Sequence, residues 1–570
     1  GAIYKNGHLL FTIIRGHGSD FFFGVPFPLL VLHSHLQLLG EERGTVLGTH
    51  IFLGELKNTI LRKTSLYDHI LFLYNQFPNK KMAGIYQIRN PVLLLRDPDL
   101  IRQVLVKDFD SFQDRNFPVN EKTDPLSCHL FALRGEKWRK LRVKLTPTFT
   151  SGKIKIMFDL MKVCASELSA YLERSAAKGS TMEFREVAAN YTTDVIGTCA
   201  FGLQFNSLND ENSEFRIMGR RIFKFSLLEA IPRAFCFFFP RVAEILGISF
   251  IPKDVTKFFL RVVKDVVDYR EKNSIVRKDF LQLLIELKGK RNVGSENSGI
   301  NQSENRSNDH KDLKTDNNID AVLSIISMNL LTGNCPTELT DSLLAAQCFV
   351  FFVAGFETSS TTIGFALYEL AVNPEIQDRA SGEVVSVLQG NGGEMTYEAV
   401  SKMEYLGRVL DETLRKYPVL PVLSRNCTKP CTIQGTDLLV DKGMKVLIPV
   451  VGLHMDPEYY PDPLRFDPER FSEKNQKARP HFTYLPFGEG PRICIGMASS
   501  NLIVHLIGRP DEYLSCMRFG LLQSKLGLAT LLSKYRFSPC EDTSIPLRMD
   551  PRAIFASPEG GVLLRIQQRN

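Results

Sequence analysis

The stretch "PFGEGPRICIG", residues 486–496, decides how the rest of the chain is read. Gly488 and Gly490 stand two apart, which permits positive φ and a close backbone approach to a flat partner. Pro491 stiffens the turn and Arg492 supplies a fixed cation. Cys494 comes just before a helical run, so its sulfur meets unbonded backbone N–H groups at the positive end of a helix. Both effects lower a thiol's pKa and favour the thiolate. Phe487 is placed to shield that sulfur from water, and Gly496 keeps the exit from the loop slim. A thiolate held this way suits a large planar metal cofactor whose anionic arms need a cation. Haem has that chemistry, and a thiolate ligand sets haem up to cleave an O–O bond. The rival reading is a glycine-rich turn around an inert buried cysteine.

Bulk composition agrees with a large globular chain. The 570 residues are 44% hydrophobic and 23% charged, with a net charge of +7. That charge is small for the length. It gives no reason to expect nucleic acid, and it allows an acidic protein partner or an anionic membrane surface. The eleven cysteines are odd in number and mostly scattered. They read as reduced thiols in a cytosol-facing protein, and no CxxC pair supports a zinc site. Residues 1–48 hold one apolar cluster, "FFFGVPFPLLVL", interrupted by Pro26 and Pro28. A span needs ~20 apolar residues without internal breakers, so residues 1–48 are expected to form an atypical leader with no clear anchor.

Upstream of the cysteine loop the patterns are mostly helical. "GIYQIRNPVLLLRDPDLIRQVLV" predicts short strands and then a helix opening after Asp97-Pro98. "GEKWRKLRVKLTPTF" predicts a basic amphipathic helix ending near Thr146-Pro147. Residues 152–230 and 253–288 carry helical period, joined by an apolar connection at 235–252 that could dip into a bilayer as an access lip or bury itself. Residues 289–320 are polar and rich in Asn and Ser, the composition of a disordered linker. Residues 342–372 predict one long helix. Glu357 interrupts its apolar run below ~20 residues, so a central buried helix is expected and not a span. A hairpin-like tail closes the chain.

Four further patterns precede the cysteine loop. Trp138 and Arg142 are four apart and present an indole N–H and a guanidinium on one helix face. Ala354, Gly355, Glu357 and Thr358 lie in the long apolar helix, where small residues let a ligand approach the backbone and a threonine can bond the carbonyl four residues back. Glu412 and Arg415 are three apart on one face and able to pair, with Arg470 in the Pro-rich segment as a third partner. Losing one member of a buried triad of this kind costs ~3–5 kcal/mol.

Taken in order, "WRKLR" (138–142), "AGFETS" (354–359), "ETLR" (412–415), "PERF" (468–471) and "FGEGPRICIG" (487–496) resemble the motif set of the cytochrome P-450 monooxygenases. Phrases such as "GEKWRKLRVKLTPTFTSGK" and "FVFFVAGFETSSTT" look most like the microsomal family-six branch of insects. The resemblance covers residues 50–496 and 517–570.

It implies a mainly α fold with small β-sheets (α+β). That fold is a triangular, helix-rich single domain, spanning 49–570 here, with haem between the oxygen-activation helix and the cysteine-loop helix. Haem b would take Cys494 as its axial thiolate and metal ligand. Trp138, Arg142, Arg425 and Arg492 would face its propionates, while Phe487, Gly488, Gly490, Gly496, Ala354 and Gly355 would shape its cavity. Thr358 and Glu357 would relay protons to dioxygen, and Glu412, Arg415 and Arg470 would hold the loop in place. Electrons would come from NADPH through an acidic flavoprotein reductase docking on a basic face, with a cytochrome b-type protein as a second donor. The location implied is the cytosolic face of the endoplasmic reticulum membrane. Phe131, Phe351, Val419, Val422 and Phe555 are candidate contacts to a lipophilic substrate of xenobiotic, plant-toxin, insecticide or hormone type, and each could equally be core.

One tract departs from the pattern. In the resembled family the helix after Cys-x-Gly runs on unbroken. Here residues 497–516 intervene between Met497 and Met517, and "MRFGLLQSKLGLATLLSKYRF" then resumes the expected sequence. Gly508-Arg509-Pro510 breaks any helix through the tract. It reads as an insertion, which leaves open a haem-free or inactive variant. A thiolate-haem isomerase or lyase needing no external electrons is the other alternative, and the Glu357-Thr358 pair argues against it.

Overall fold

The computed structural model describes residues 57–60, 62–87, 90–115, 117–176, 180–210, 212–223, 227–289, 339–436, 438–497 and 519–569. The expected leader (1–48), the linker (290–320) and the tract 498–516 lie outside the described residues. The insertion therefore touches them only at Met497.

Two antiparallel strands, β1 (Met82–Gln87) and β2 (Asn90–Leu95), open the described fold after α1 (Leu66–Asn75). Helix α2 (Pro98–Arg102) begins where the sequence predicts: the Asp97 carboxylate accepts from the Asp99 and Leu100 amides at 2.9 and 3.1 Å, and Pro98 takes the first turn, where no N–H is needed. The basic helix α3 (Gly135–Leu145) ends against Thr146-Pro147. Next come α4 (Ser151–Ala176), the short strand β3 (Thr181–Glu183), α5 (Phe184–Ile196) and α6 (Glu214–Phe223). The helical period of 152–230 hides β3, because three residues are too few to show alternation.

The apolar connection is itself helical. It forms α7 (Leu227–Phe238) and α8 (Pro240–Ile245). Helices α9 (Lys253–Asn273) and α10 (Phe280–Gly289) follow, then the 32-residue α11 (Asp341–Val372). The Thr340 hydroxyl caps α11 by accepting from the Leu343 amide at 3.2 Å, and Asn373-Pro374 ends it. By length and composition alone α11 is apolar enough to cross a membrane. Instead it packs on α5, α9, α13 (Glu404–Lys416) and α15 (Phe519–Lys534), with every residue from Ser359 to Ala371 buried. The core centres on this helix.

Three small sheets flank the helices. In the largest, the order is β1-β2-β7-β4, with β7 (Lys445–Ile448) parallel to β2 and β4 (Leu423–Asn426) antiparallel to β7. A second pairs β5 (Cys431–Thr432) with β6 (Leu439–Val440). The hairpin-like tail is real: β8 (Tyr535–Pro539) and β9 (Leu563–Gln568) pair antiparallel, and β3 adds to the far edge of β9. Helices α12 (Pro374–Gln389) and α14 (Val450–His454) complete the framework.

Candidate functional site

Backbone bonding closes the cysteine loop. The Cys494 amide donates to the Phe487 carbonyl at 3.0 Å, and the Ile493 amide to the Gly490 carbonyl at 2.9 Å. Gly488 and Gly490 have φ of +71° and +75°. A Cβ on Gly490 would come within 2.0 Å of the Leu105 carbonyl oxygen, so only glycine fits that seam. Cys494 itself is exposed, and a single 3-10 turn, Ile495–Met497, follows it.

Beside the loop four guanidiniums converge. Arg425 and Arg492 are each 1% exposed, which is exceptional for arginine. Arg492 stacks over the Trp138 ring at 4.2 Å and donates to the Leu133 carbonyl at 2.7 Å. Arg115 donates to the Arg492 carbonyl at 2.8 Å and lies over the Phe131 ring at 4.1 Å. Burial lowers Arg142 to about 10, partly offset by the Cys494 thiolate, and lowers Arg425 to about 10. Arg492 falls to about 9, through burial and then the neighbouring Arg425 charge. Burial holds Arg115 well below the usual range, with Arg425, Arg492 and Arg142 adding to the effect.

The ion pair found at this cluster among the described residues is Arg492–Asp114 at 3.6 Å. The Nε atoms of Arg425 and Arg492 are buried without a hydrogen-bond partner. Such a concentration of desolvated cations is unfavourable unless an anion joins it. A planar metal cofactor with two carboxylate arms and a thiolate-seeking iron fits both halves of the site. Trp138, Arg142, Arg425 and Arg492 are thus brought together as the sequence predicts. Arg115 was missed, because it stands alone in a loop with no spacing to flag it.

Across from the thiolate, α11 presents Ala354, which is exposed, and Thr358, whose hydroxyl donates to the Ala354 carbonyl at 2.6 Å. A Cβ on Gly355 would come within 2.1 Å of Ile196 Cδ1, so this glycine lets α5 and α11 touch. Other side chains capture neighbouring carbonyls: Thr192 bonds that of Phe356 at 3.0 Å, and Gln523 that of Gly355 at 2.7 Å. Glu357 is buried and paired with Arg185 of α5. Its spacing beside Thr358 gave no sign of that partner.

The expected triad is present. Arg415 holds Glu412 through two bonds of 2.7 and 2.8 Å, both side chains fully buried, and Arg470 reaches Glu412 at 3.4 Å. Arg415 also donates to the His454 and Pro463 carbonyls. His454 Nε2 accepts from the Leu485 amide at 2.9 Å, which ties the triad to the approach of the cysteine loop.

The apolar candidates divide. Phe131 lies at the cation cluster, its carbonyl accepting from Arg115 and Arg492. The Val419 carbonyl accepts from the Ala556 amide at 3.0 Å, which brings 419 and Phe555 to one wall. Phe223, which the sequence did not flag, joins Phe356 and Phe555 at 5.9 and 5.3 Å. Val422 packs in the cluster around Ile85, Val92 and Phe365. Phe351 meets Phe280 and Phe149 at 4.2 and 5.1 Å, an aromatic cluster on α10 and the turn after α3.

A mostly α fold with a glycine-cradled thiolate facing a small-residue notch on its central helix defines a haem-thiolate protein. The cytochrome P450 family model matches residues 48–507. Cytochrome P450 6k1 of Blattella germanica is 38% identical over 511 residues, covering 90% of this chain and 89% of the relative. Probable cytochrome P450 6a14 of Drosophila melanogaster is 40% identical over 515 residues, covering 89% of this chain and 91% of the relative. Cytochrome P450 6a2 of the same fly is 38% identical over 509 residues, covering 88% and 90%. The chain belongs to the cytochrome P450 family, and its relatives are family-six members from insects. It is a haem-thiolate monooxygenase acting on xenobiotics or other lipophilic compounds, in partnership with a reductase.

Proposed function

We propose that the chain inserts one atom of dioxygen into a lipophilic small molecule of plant-toxin, insecticide or hormone type. The cofactor in this reading is haem b, and the electrons derive from NADPH through a flavoprotein reductase, with a cytochrome b-type protein as a second donor. The observation that carries the proposal is the pairing of the Cys494 loop with the buried cation cluster of Arg115, Arg142, Arg425 and Arg492. Haem held there supplies the redox chemistry that activates oxygen.

The chain's own residues do the rest. Cys494 is the axial thiolate. Trp138, Arg142, Arg425, Arg492 and Arg115 neutralise the propionates. Gly488, Gly490, Phe487 and Gly496 shape the thiolate side, and Ala354 and Gly355 leave room on the other. Thr358 orients a water within the notch and passes a proton inward, and Glu357 feeds it once released from Arg185. Glu412, Arg415 and Arg470 hold the loop. Phe131, Val419, Phe555 and Phe223 form the substrate wall, with Val422 behind it. Phe351 supports that wall from the outer side of α11.

The membrane placement proposed is the cytosolic face of the endoplasmic reticulum. Its support is the apolar surface of α7 and α8, where Ile231, Ile245 and Leu246 are 66%, 83% and 62% exposed. The catalytic unit is taken to begin near residue 49, and 497–516 to be an insertion that leaves the site intact.

The test is the carbon monoxide difference spectrum of the reduced, full-length protein. A Soret band at the wavelength from which the family takes its name is expected, and Cys494→Ser should abolish it. Absence of the band in the wild type would overturn the reading. Deleting 497–516 should leave the band per haem unchanged.

A further inference from the structure

Away from the cysteine loop, a cavity of about 150 Å³ lies between the loop that precedes α3 and the segment carrying α7 and α8. Asp124 stands in its wall and is 2% exposed. Oδ2 of Asp124 accepts from the amides of Phe250 and Ile251 at 3.0 and 3.1 Å. Oδ1 is equally buried and has no protein partner. Burial raises this carboxyl to about 6, so it is mostly ionised at neutral pH and its charge is only half bonded.

The remaining wall determines what would join it. Val119, Ala243 and Ile248 are apolar, and Glu244 adds a second carboxylate. Arg134 is the one cation of the lining, and it is committed to the Phe117 carbonyl at 2.6 Å. A buried carboxylate with an unused oxygen favours a charged N–H donor, because ion pairing offsets the desolvation cost. A cavity of this size accepts a ring about as large as benzene.

We propose that the Asp124 cavity binds small lipophilic ammonium ions, with the N–H group on Asp124 Oδ1 and the hydrocarbon body against Val119, Ala243 and Ile248. The site is separate from the haem pocket. Its walls come from the two segments flanking the apolar lip, so occupancy would hold those segments together.

Cyclopentylammonium is the probe and cyclopentanol its neutral counterpart, titrated calorimetrically into the haem-loaded full chain. The Soret band is recorded in parallel so that amine ligation to iron is counted separately. The ammonium ion is expected to bind at least tenfold tighter than the alcohol without shifting the band. Asp124→Asn keeps an acceptor for Phe250 and Ile251 and should erase that preference. Ala243→Phe fills the cavity and should abolish binding of both probes. Equal binding of the two probes to the wild type would overturn the proposal, and so would an unchanged ratio in Asp124→Asn. Should Asp124→Asn fail to fold, undiminished ammonium binding in Ala243→Phe is by itself enough to reject it. None of these outcomes bears on the carbon monoxide band, which tests the haem reading alone.

Discussion

Gln523 donates its side-chain amide to the Gly355 carbonyl at 2.7 Å, and so joins the helix beyond the 497–516 tract to the helix that carries Glu357 and Thr358. The same amide reaches the Ser359 hydroxyl, and the Tyr191 hydroxyl donates to the Gln523 carbonyl at 3.1 Å. Helix α15 is therefore seated in the core despite the interruption before it.

Replacing Gln523 by Leu leaves Ser359 and the Gly355 carbonyl without that donor in a fully buried place. The expected loss is about 1–3 kcal/mol of unfolding free energy. Denaturant unfolding of the haem-loaded variant measures it, and an unchanged midpoint would mean that the link contributes nothing.

Arg185 and Glu357 form a partly buried pair, their side chains 18% and 9% exposed. Arg185→Met strands the carboxylate and should cost about 3 kcal/mol, while Arg185→Met with Glu357→Gln together should recover much of it. If the two changes are additive in a double-mutant cycle, the pair carries no coupling. On the proposed proton route, Glu357→Gln should slow turnover while the carbon monoxide band keeps its height.

Arg115 lies among like charges and should matter in opposite ways with and without haem. Arg115→Met removes repulsion from Arg425, Arg492 and Arg142, so the haem-free chain should unfold at higher denaturant. The haem-loaded chain should lose a charge-assisted partner worth about 1.5–3 kcal/mol, which makes haem dissociation roughly 10- to 100-fold faster. Haem transfer to an excess of a haem-free acceptor protein reads this rate. Unchanged transfer would remove Arg115 from the propionate set.

Lys525 is 4% exposed on α15, and burial lowers it to about 8. Below pH 8 the ammonium is charged in both folded and unfolded chains, and the folded state bears the full desolvation penalty. Between pH 8 and about 10.5 the folded state sheds its proton first, so stability contributed at this position rises with pH by up to roughly 3 kcal/mol. Lys525→Met should be at least as stable as wild type at pH 7 and lack this rise. Urea midpoints for both proteins from pH 7 to 10.5 give the answer, and parallel curves would refute it.

Relationships between residues close along the chain are legible in the sequence. Glycine spacing around Cys494, the Trp138–Arg142 face, the Glu412–Arg415 pair and the capped start after Asp97 each depend on periods of two to four residues, which local geometry dictates. The helical access lip is less legible, because Pro232 and Pro240 make it read as a connection when they sit inside and at the start of helices.

The order of residues alone specifies which cysteine meets the metal, which helix faces it, and which three charges hold the loop. Those depend on short-range chemistry that survives in any context. Folding in three dimensions was needed to gather Arg115, Arg142, Arg425 and Arg492 from four separate segments, to give Glu357 its partner on α5, and to seat α15 on α11 across the tract. These are long-range contacts, made when buried faces exclude water, and no spacing along the chain records them.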